Sequence, residues 1–174
     1  MESYATVNVR RARGADLDAA ARVVAAVAEE DFLGAQPPVD LKERAERFRE
    51  LIEQDALWVL EHQGNIVGYA GSPETVPGVR SIGMAILAEA RGLGGGRALL
   101  SAVQDHARAT HAHKISLEVW IDNPRAIALY AAAGFEVEGL RRDHYRRRNG
   151  SLRSTLIMAW RVRPPREDPP ASGN

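Results

Sequence analysis

The sequence contains no cysteine, so disulfide bonds, thiolate metal sites and a cysteine nucleophile are excluded. It also lacks any apolar run near the roughly 18–20 residues that a membrane-spanning helix requires. Residues 1–13 hold no apolar stretch of the kind found in a signal peptide. We therefore expect a cytoplasmic protein without a membrane partner.

An excess of charge is also missing, because 23 basic residues balance 23 acidic ones. A neutral chain has no general attraction for phosphate backbones, and we expect no nucleic-acid partner. Five arginines cluster in residues 141–148, which we interpret as a solvated hairpin tip or a homodimer contact. An acidic substrate, a phosphate group and RNA are alternative ligands for this run. The five histidines have no metal-ligand spacing, so we expect no metal.

Hydrophobic periodicity predicts an α/β fold for a chain of 174 residues. The predicted order is β-α-α-β-β-β-α-β-α-β-β, a mixed central sheet flanked by helices. Asp16 is the expected N-cap of the first helix, and residues 79–121 should form a right-handed parallel crossover. We place one domain at residues 1–163 and a disordered, proline-rich tail at residues 164–174. The predicted strands are 5–11, 57–61, 66–70, 79–87, 114–121, 135–140 and 152–162, and the later helices are 40–54, 95–110 and 123–133.

A glycine-rich loop at residues 90–97 (ARGLGGGR) lies between a strand and an amphipathic helix. Glycines leave backbone N–H groups accessible, and a helix start adds partial positive charge, so the loop suits a pyrophosphate. Arg91 and Arg97 add full charges. The dinucleotide pattern G-x-G-x-x-G fails because Arg97 occupies its last position, and no P-loop lysine follows. The pattern present is R-x-x-G-x-G, formed by Arg91, Gly94 and Gly96.

A second motif begins at Asn123, which is a natural N-cap and is followed by Pro124 at the first helical position. Tyr130 lies two helical turns further on, so both side chains project from one side of a short helix. Glu118 stands on the preceding strand, on the face opposite Leu117.

The two motifs together resemble the GCN5-related N-acetyltransferase (GNAT) superfamily. R-x-x-G-x-G is followed about thirty residues later by N-x-x-A-I-x-L-Y-x-x-x-G-F, and the element order is similar over residues 5–162. Residues 117–158 look most similar to the branch that acetylates amino acids, protein α-amines and polyamines. The resemblance implies transfer of an acetyl group from acetyl-CoA to a primary amine by direct attack in a ternary complex.

The resemblance also implies residue roles. The loop would hold the coenzyme pyrophosphate, the strand at Met84–Ile86 would pair with the pantetheine arm, and Asn123 would contact the same region. Tyr130 would be the general acid and Glu118 the general base. The residues implied to bind acetyl-CoA are Met84, Ala85, Ile86, Arg91, Gly92, Leu93, Gly94, Gly95, Gly96, Arg97 and Asn123.

Several alternatives stay open from the sequence. The acceptor could be an amino acid, a polyamine, an antibiotic or a protein N-terminus, and the donor could carry a succinyl or propionyl group. A non-catalytic coenzyme A-binding module would also keep the loop. Glu118 could be an ion-paired or solvent-facing residue, and Tyr130 a half-buried aromatic with its hydroxyl at a rim.

Overall fold

Four α-helices and nine strands lie within residues 7–162, the part of the chain that the computed structural model describes. The helices are α1 (Leu17–Ala28), α2 (Leu41–Glu53), α3 (Gly95–Ala109) and α4 (Pro124–Ala132). The strands are β1 (Asn8–Arg11), β2 (Leu57–His62), β3 (Asn65–Gly71), β4 (Glu74–Val76), β5 (Val79–Ser81), β6 (Gly83–Ile86), β7 (Lys114–Trp120), β8 (Glu136–Arg146) and β9 (Leu152–Arg161). The predicted tail and the domain boundary at residue 163 lie outside the described residues.

The strands form two sheets, with the orders β1-β2-β3-β6 and β4-β5-β7-β9-β8. Strand β5 pairs in parallel with β7, which confirms that the predicted crossover is parallel, and its right-handedness stays a prediction. The mixed α/β class is confirmed, and β4 is an additional short strand. The prediction of one strand over 79–87 is wrong, because the chain changes sheet at Ile82 and forms β5 on one side and β6 on the other.

This change of sheet opens a cleft between β6 and β7. The backbone N–H of Ile82 still donates to the carbonyl of Ser116 at 3.1 Å, so the two sheets remain joined at that point. Beyond it, β6 pairs with β3 and, among the described strands, has no neighbour on its other edge. The N–H and C=O groups on that edge require water or a ligand as partners.

Two apolar clusters hold the helices on either side of the sheets. Leu60, Leu99 and Ile115 are fully buried where α3 packs against β2 and β7. Val24 and Phe48 pack from α1 and α2 against the other face. Burial of each such side chain contributes roughly 1.5–3 kcal/mol. The start of α3 and the end of α1 are thereby fixed beside the cleft.

Asp16 does not cap α1 with its side chain, contrary to expectation. Its backbone is already helical, and a one-turn 3₁₀ helix, Gly14–Asp16, precedes α1. The carboxylate instead accepts from the backbone N–H of Arg13 at 2.7 Å and from the guanidinium of Arg10 at 2.7 and 2.9 Å. The arginine at position 10 competes for the carboxylate, a contact that local periodicity does not reveal.

Two features are absent from residues 7–162. No helix in this range is both long and apolar enough to cross a membrane. No group of three or more histidine, aspartate or glutamate side chains in the range is arranged to hold a metal ion.

Candidate active site

A cavity of about 1090 Å³ occupies the cleft between β6 and β7. Strand β6 forms one wall, β7 and the start of α4 form another, and the glycine loop closes one end. The cavity brings together all but one of the predicted site residues: Met84, Ala85, Ile86, Arg91, Gly92, Gly94, Gly95, Gly96, Arg97, Glu118, Asn123 and Tyr130. Leu93 does not line it, and its side chain is exposed.

The glycine loop presents the start of α3 to this cavity. Gly94 is the N-cap of α3 and has a φ of 84°, a left-handed conformation that favours glycine. A Cβ at Gly94 would meet nothing within 4 Å, whereas a Cβ at Gly95 would overlap the side chain of Leu60. The first N–H groups of α3 have no acceptor within the helix. They form an anion site at the end of the cavity.

Arg91 ties the loop to its surroundings. Its Nε donates to the carbonyl of Ile86 at 2.8 Å, and its two terminal nitrogens donate to the carboxylate of Glu30 at 2.6 and 2.7 Å. These hydrogen bonds lower the pKa of Glu30. We expected Arg91 to add positive charge to the loop, but its guanidinium is already paired. Arg97 and Arg125 also line the cavity, and neither has an ion pair among the described residues.

Helix α4 positions Tyr130 and Asn123 along the cavity. The Oδ1 atom of Asn123 accepts from the backbone N–H of Ala126 at 3.2 Å, and Pro124 fills the first helical position. The cap thus uses the side-chain carbonyl of Asn123, so its amide nitrogen is the group able to donate to a ligand. Tyr130 is buried beside Phe135, with ring centroids 5.8 Å apart.

Burial raises the pKa of Tyr130, and the charge of Tyr69 adds to the rise. A buried phenol keeps its proton because the phenolate would lose its hydration. Tyr130 therefore stays protonated and can donate a hydrogen bond across the neutral pH range.

Glu118 faces the cavity with three partners. Its Oε2 accepts from the hydroxyls of Tyr145 and Thr155, each at 2.8 Å. The Oε1 atom of Glu118 lies 3.2 Å from Arg141, and the side chain of Glu118 is 30% exposed. Glu118 is therefore ion-paired and also lines the cavity, and its role as general base stays a prediction. The three partners hold the carboxylate in one orientation.

The loop between α1 and α2 is fastened by arginines of the β8–β9 hairpin. Arg147 is buried, forms an ion pair with Asp31 and donates to the carbonyl of Gly34 at 3.1 Å. Arg153 bridges Asp31 at 3.0 Å and Asp122 at 2.5 Å. The interpretation of residues 141–148 as a solvated hairpin tip is wrong at Arg147, because this side chain fixes the cavity wall.

Sequence reasoning missed several lining residues with polar side chains, among them Arg44 and Tyr69. Tyr69 on β3 stands opposite Ala85 on β6, and its ring lies 4.8 Å from that of Phe48. Arg44 also lines a second cavity of about 240 Å³ beside the loop. The sequence of helix α2 has the pattern of a surface helix with mixed charge. This pattern does not indicate that Arg44 faces the cavity.

The family of this chain follows from comparison with known sequences. The sequence profile of the Acetyltransferase (GNAT) family matches residues 23–135, which is more than half of the chain. The chain belongs to this family.

Individual relatives agree with this assignment. The N-alpha-acetyltransferase RimI of Mycobacterium tuberculosis (strain ATCC 25618 / H37Rv) is 40% identical over 89 residues, 48% of this chain and 53% of that protein. The match thus spans about half the length of this curated relative. The ribosomal-protein-alanine N-acetyltransferase of Brucella melitensis superposes with a TM-score of 0.81 at 25% identity, over 89% of this chain and 99% of the other.

A second structure carries a bound cofactor. The protein yncA of Salmonella typhimurium, solved with its cofactor acetyl-CoA, superposes with a TM-score of 0.82 over 95% of this chain and 99% of its own. Its identity to this chain is 20%, so the likeness is one of fold.

Proposed function

We propose that this chain is an acetyl-CoA-dependent N-acetyltransferase whose acceptor is the α-amine of a protein or peptide N-terminus. One observation carries the proposal: the open edge of β6, the start of α3 and Tyr130 line the same cavity. The names of RimI and of the Brucella melitensis enzyme support an α-amine as acceptor. The cytoplasmic location and a homodimer stay predictions.

The cavity residues fit acetyl-CoA in charge and shape. The coenzyme pyrophosphate is an anion, and the unpartnered N–H groups of α3 with Arg97 suit it. The pantetheine arm contains amides that can pair with an open strand edge, and Met84–Ile86 offer such an edge. Asn123 would donate to this arm from its amide nitrogen. A volume of about 1090 Å³ leaves room for an acceptor as well.

Bound acetyl-CoA would supply the acetyl group as a thioester, and the residues around it would manage orientation and protons. A backbone N–H of β6 would polarise the thioester carbonyl. Tyr130 would hold a proton for the departing sulfur. A thiol has a pKa of about 8.5, so the sulfur can also leave as a thiolate without help from an acid. Positioning therefore carries much of the rate.

Glu118 would accept a proton from the acceptor amine. An α-amine has a pKa of about 7.7–8.0, so a useful fraction is already neutral at physiological pH. The demand on a base is smaller than for a lysine side chain, whose pKa is about 10.4. A carboxylate that is already held by Arg141 is compatible with this modest demand.

Ligand binding and turnover test the proposal separately. Acetyl-CoA should raise the unfolding temperature more than NAD or ATP does, because it binds the native state. Release of free thiol should follow with N-terminal peptides, and less with polyamines. Parallel reactions with propionyl- and succinyl-CoA would define the acyl group. Equal stabilisation by NAD, or no thiol release with any amine, would contradict the proposal.

A further inference from the structure

We infer that Arg44 recognises a carboxylate on the acceptor, which makes it a specificity-determining residue. This inference rests on the proposed function, because it assumes that an amine acceptor enters the main cavity.

The guanidinium of Arg44 has no ion pair or hydrogen bond among the residues that the structure describes. The two other arginines of α2 are both paired, Arg47 with Glu43 and Arg49 with Glu46, each at 2.6 Å. Arg44 is also less exposed than these, since it lies at the wall of the cavity. A half-buried guanidinium without an anion is unfavourable, which points to a partner from outside the chain.

The surroundings of Arg44 place it near the reacting end of the cavity. Arg44 and Tyr69 both line the main cavity, and the ring of Tyr69 lies 4.8 Å from that of Phe48, one turn along α2 from Arg44. Tyr69 in turn stands opposite Ala85, on the strand predicted to hold the thioester, and adds to the raised pKa of Tyr130. The pyrophosphate end is formed by other elements, the loop and α3.

Apart from Arg44, the residues that α1, α2 and the loop between them contribute to the cavity carry no charge, so charge recognition on this side falls to Arg44. They are Val24, Val27, Phe32, Leu33, Gly34 and Ala35. In the adjoining second cavity, the other charged groups have partners: Asp40 accepts from backbone N–H groups at the start of α2, Glu43 pairs with Arg47, and Arg148 donates to the carbonyl of Pro37. An acceptor with an apolar portion and a carboxylate complements this wall.

Two pairs of acceptors distinguish a side-chain carboxylate from an α-carboxylate as the group that Arg44 binds. The first pair is Ala-Glu and Ala-Gln in otherwise identical amidated peptides, which differ only in a side-chain carboxylate. The second pair is alanine and alaninamide, which differ in the α-carboxylate. Affinity would be measured by calorimetry in the presence of coenzyme A, and turnover by thiol release.

The wild-type chain should favour the carboxylate member of at least one pair by about tenfold or more, the size expected for a charge-assisted hydrogen bond. In R44Q this ratio should fall close to one, and R44E should favour Ala-Lys over Ala-Glu. R47Q, on the same helix but paired with Glu43, should keep the wild-type ratio. Thermal unfolding with acetyl-CoA verifies that each variant is folded.

Two failures are distinguishable in this design. A wild-type affinity ratio near one in both pairs, or a ratio that survives R44Q, would overturn the role of Arg44. Acceptors that bind with an Arg44-dependent ratio but release no thiol would overturn the proposed function and leave the carboxylate recognition standing.

Discussion

The hydroxyl of Tyr145 donates to Oε2 of Glu118 at 2.8 Å, and the hydroxyl of Thr155 donates to the same oxygen. Arg141 lies 3.2 Å from the other oxygen. All three contacts hold the carboxylate in one orientation. The orientation of Glu118 is thus set by the β8–β9 hairpin, the same element that fastens the wall of the cavity.

Replacing Glu118 with glutamine should lower kcat and should move or abolish the acidic limb of the pH–rate profile, because the variant cannot accept a proton. Part of the rate should return at high pH, where more of the amine is already neutral. Tyr145→Phe is the matched control, since it removes one hydrogen bond and keeps the carboxylate. A Glu118→Gln enzyme with the wild-type rate and profile would assign the base to water or another group.

Tyr130→Phe removes a hydroxyl and keeps the ring that packs against Phe135. If the hydroxyl protonates the departing sulfur, kcat should fall by about 10²-fold or more. The affinity for acetyl-CoA should change much less, and high pH should not restore the rate, in contrast to Glu118→Gln. Steady-state kinetics over pH 6–9 with calorimetric binding would separate the two variants, and an unchanged kcat would remove Tyr130 from the chemistry.

Gly94→Ala should weaken acetyl-CoA binding, because the new methyl group enters the cavity at the helix start. The φ of 84° also strains any L-residue, by roughly 1–2 kcal/mol. Gly150→Ala is a matched control, with a φ of 85° and equally open space, but at the tip of the β8–β9 hairpin. Both variants should lose similar stability, and the position 94 variant should also lose affinity. Equal affinities would exclude the loop as the phosphate site.

Stability should fall as pH drops below about 6.5, the ordinary pKa of histidine, because of His106. Arg11 and Arg80 contact its two ring nitrogens at 2.8 Å each. Burial and then these two charges lower the pKa of His106 in the folded state. The folded state therefore binds fewer protons than the unfolded state, so stability is greatest above pH 6.5 and declines toward the lowered pKa.

Denaturant titrations at several values between pH 5 and pH 7.5 would measure this decline. His106→Gln should flatten it, because glutamine does not titrate in that window. His111→Gln, at an exposed position after α3, serves as the control. Carboxylates with lowered pKa values, such as Glu30, lose their contribution to the stability of the fold at more acidic pH. They therefore do not affect the decline measured between pH 5 and pH 7.5. An unchanged decline in His106→Gln would assign it to other groups.

Much of the fold could be predicted because its elements are encoded locally. Helix α3 begins at Gly95, as the glycine loop and the following apolar stripe predict. The errors lie where partners distant in sequence decide the outcome. The sequence pattern of residues 79–87 predicts one strand. In the structure, the N–H of Ile82 donates to the carbonyl of Ser116, and the next residues pair with β3. No local pattern reports that a strand is shared between two sheets.

The candidate site was predictable to the extent that motifs mark it. Gly94, Asn123 and Tyr130 belong to motifs, and the fold brings them into one cavity. Arg44 and Arg147 belong to charged runs whose local pattern is that of a surface. Their roles depend on Tyr69 and Asp31, which lie far away in sequence, so only the three-dimensional arrangement reveals them.

The most direct test of the account is incubation of the purified chain with acetyl-CoA and an N-terminal peptide, with thiol release and the mass of the peptide followed together. The account predicts one acetyl group on the peptide α-amine for each thiol released, and a strong loss of both signals in Tyr130→Phe. Thiol release without acetylated peptide, or acetylation that proceeds equally without the chain, would contradict it.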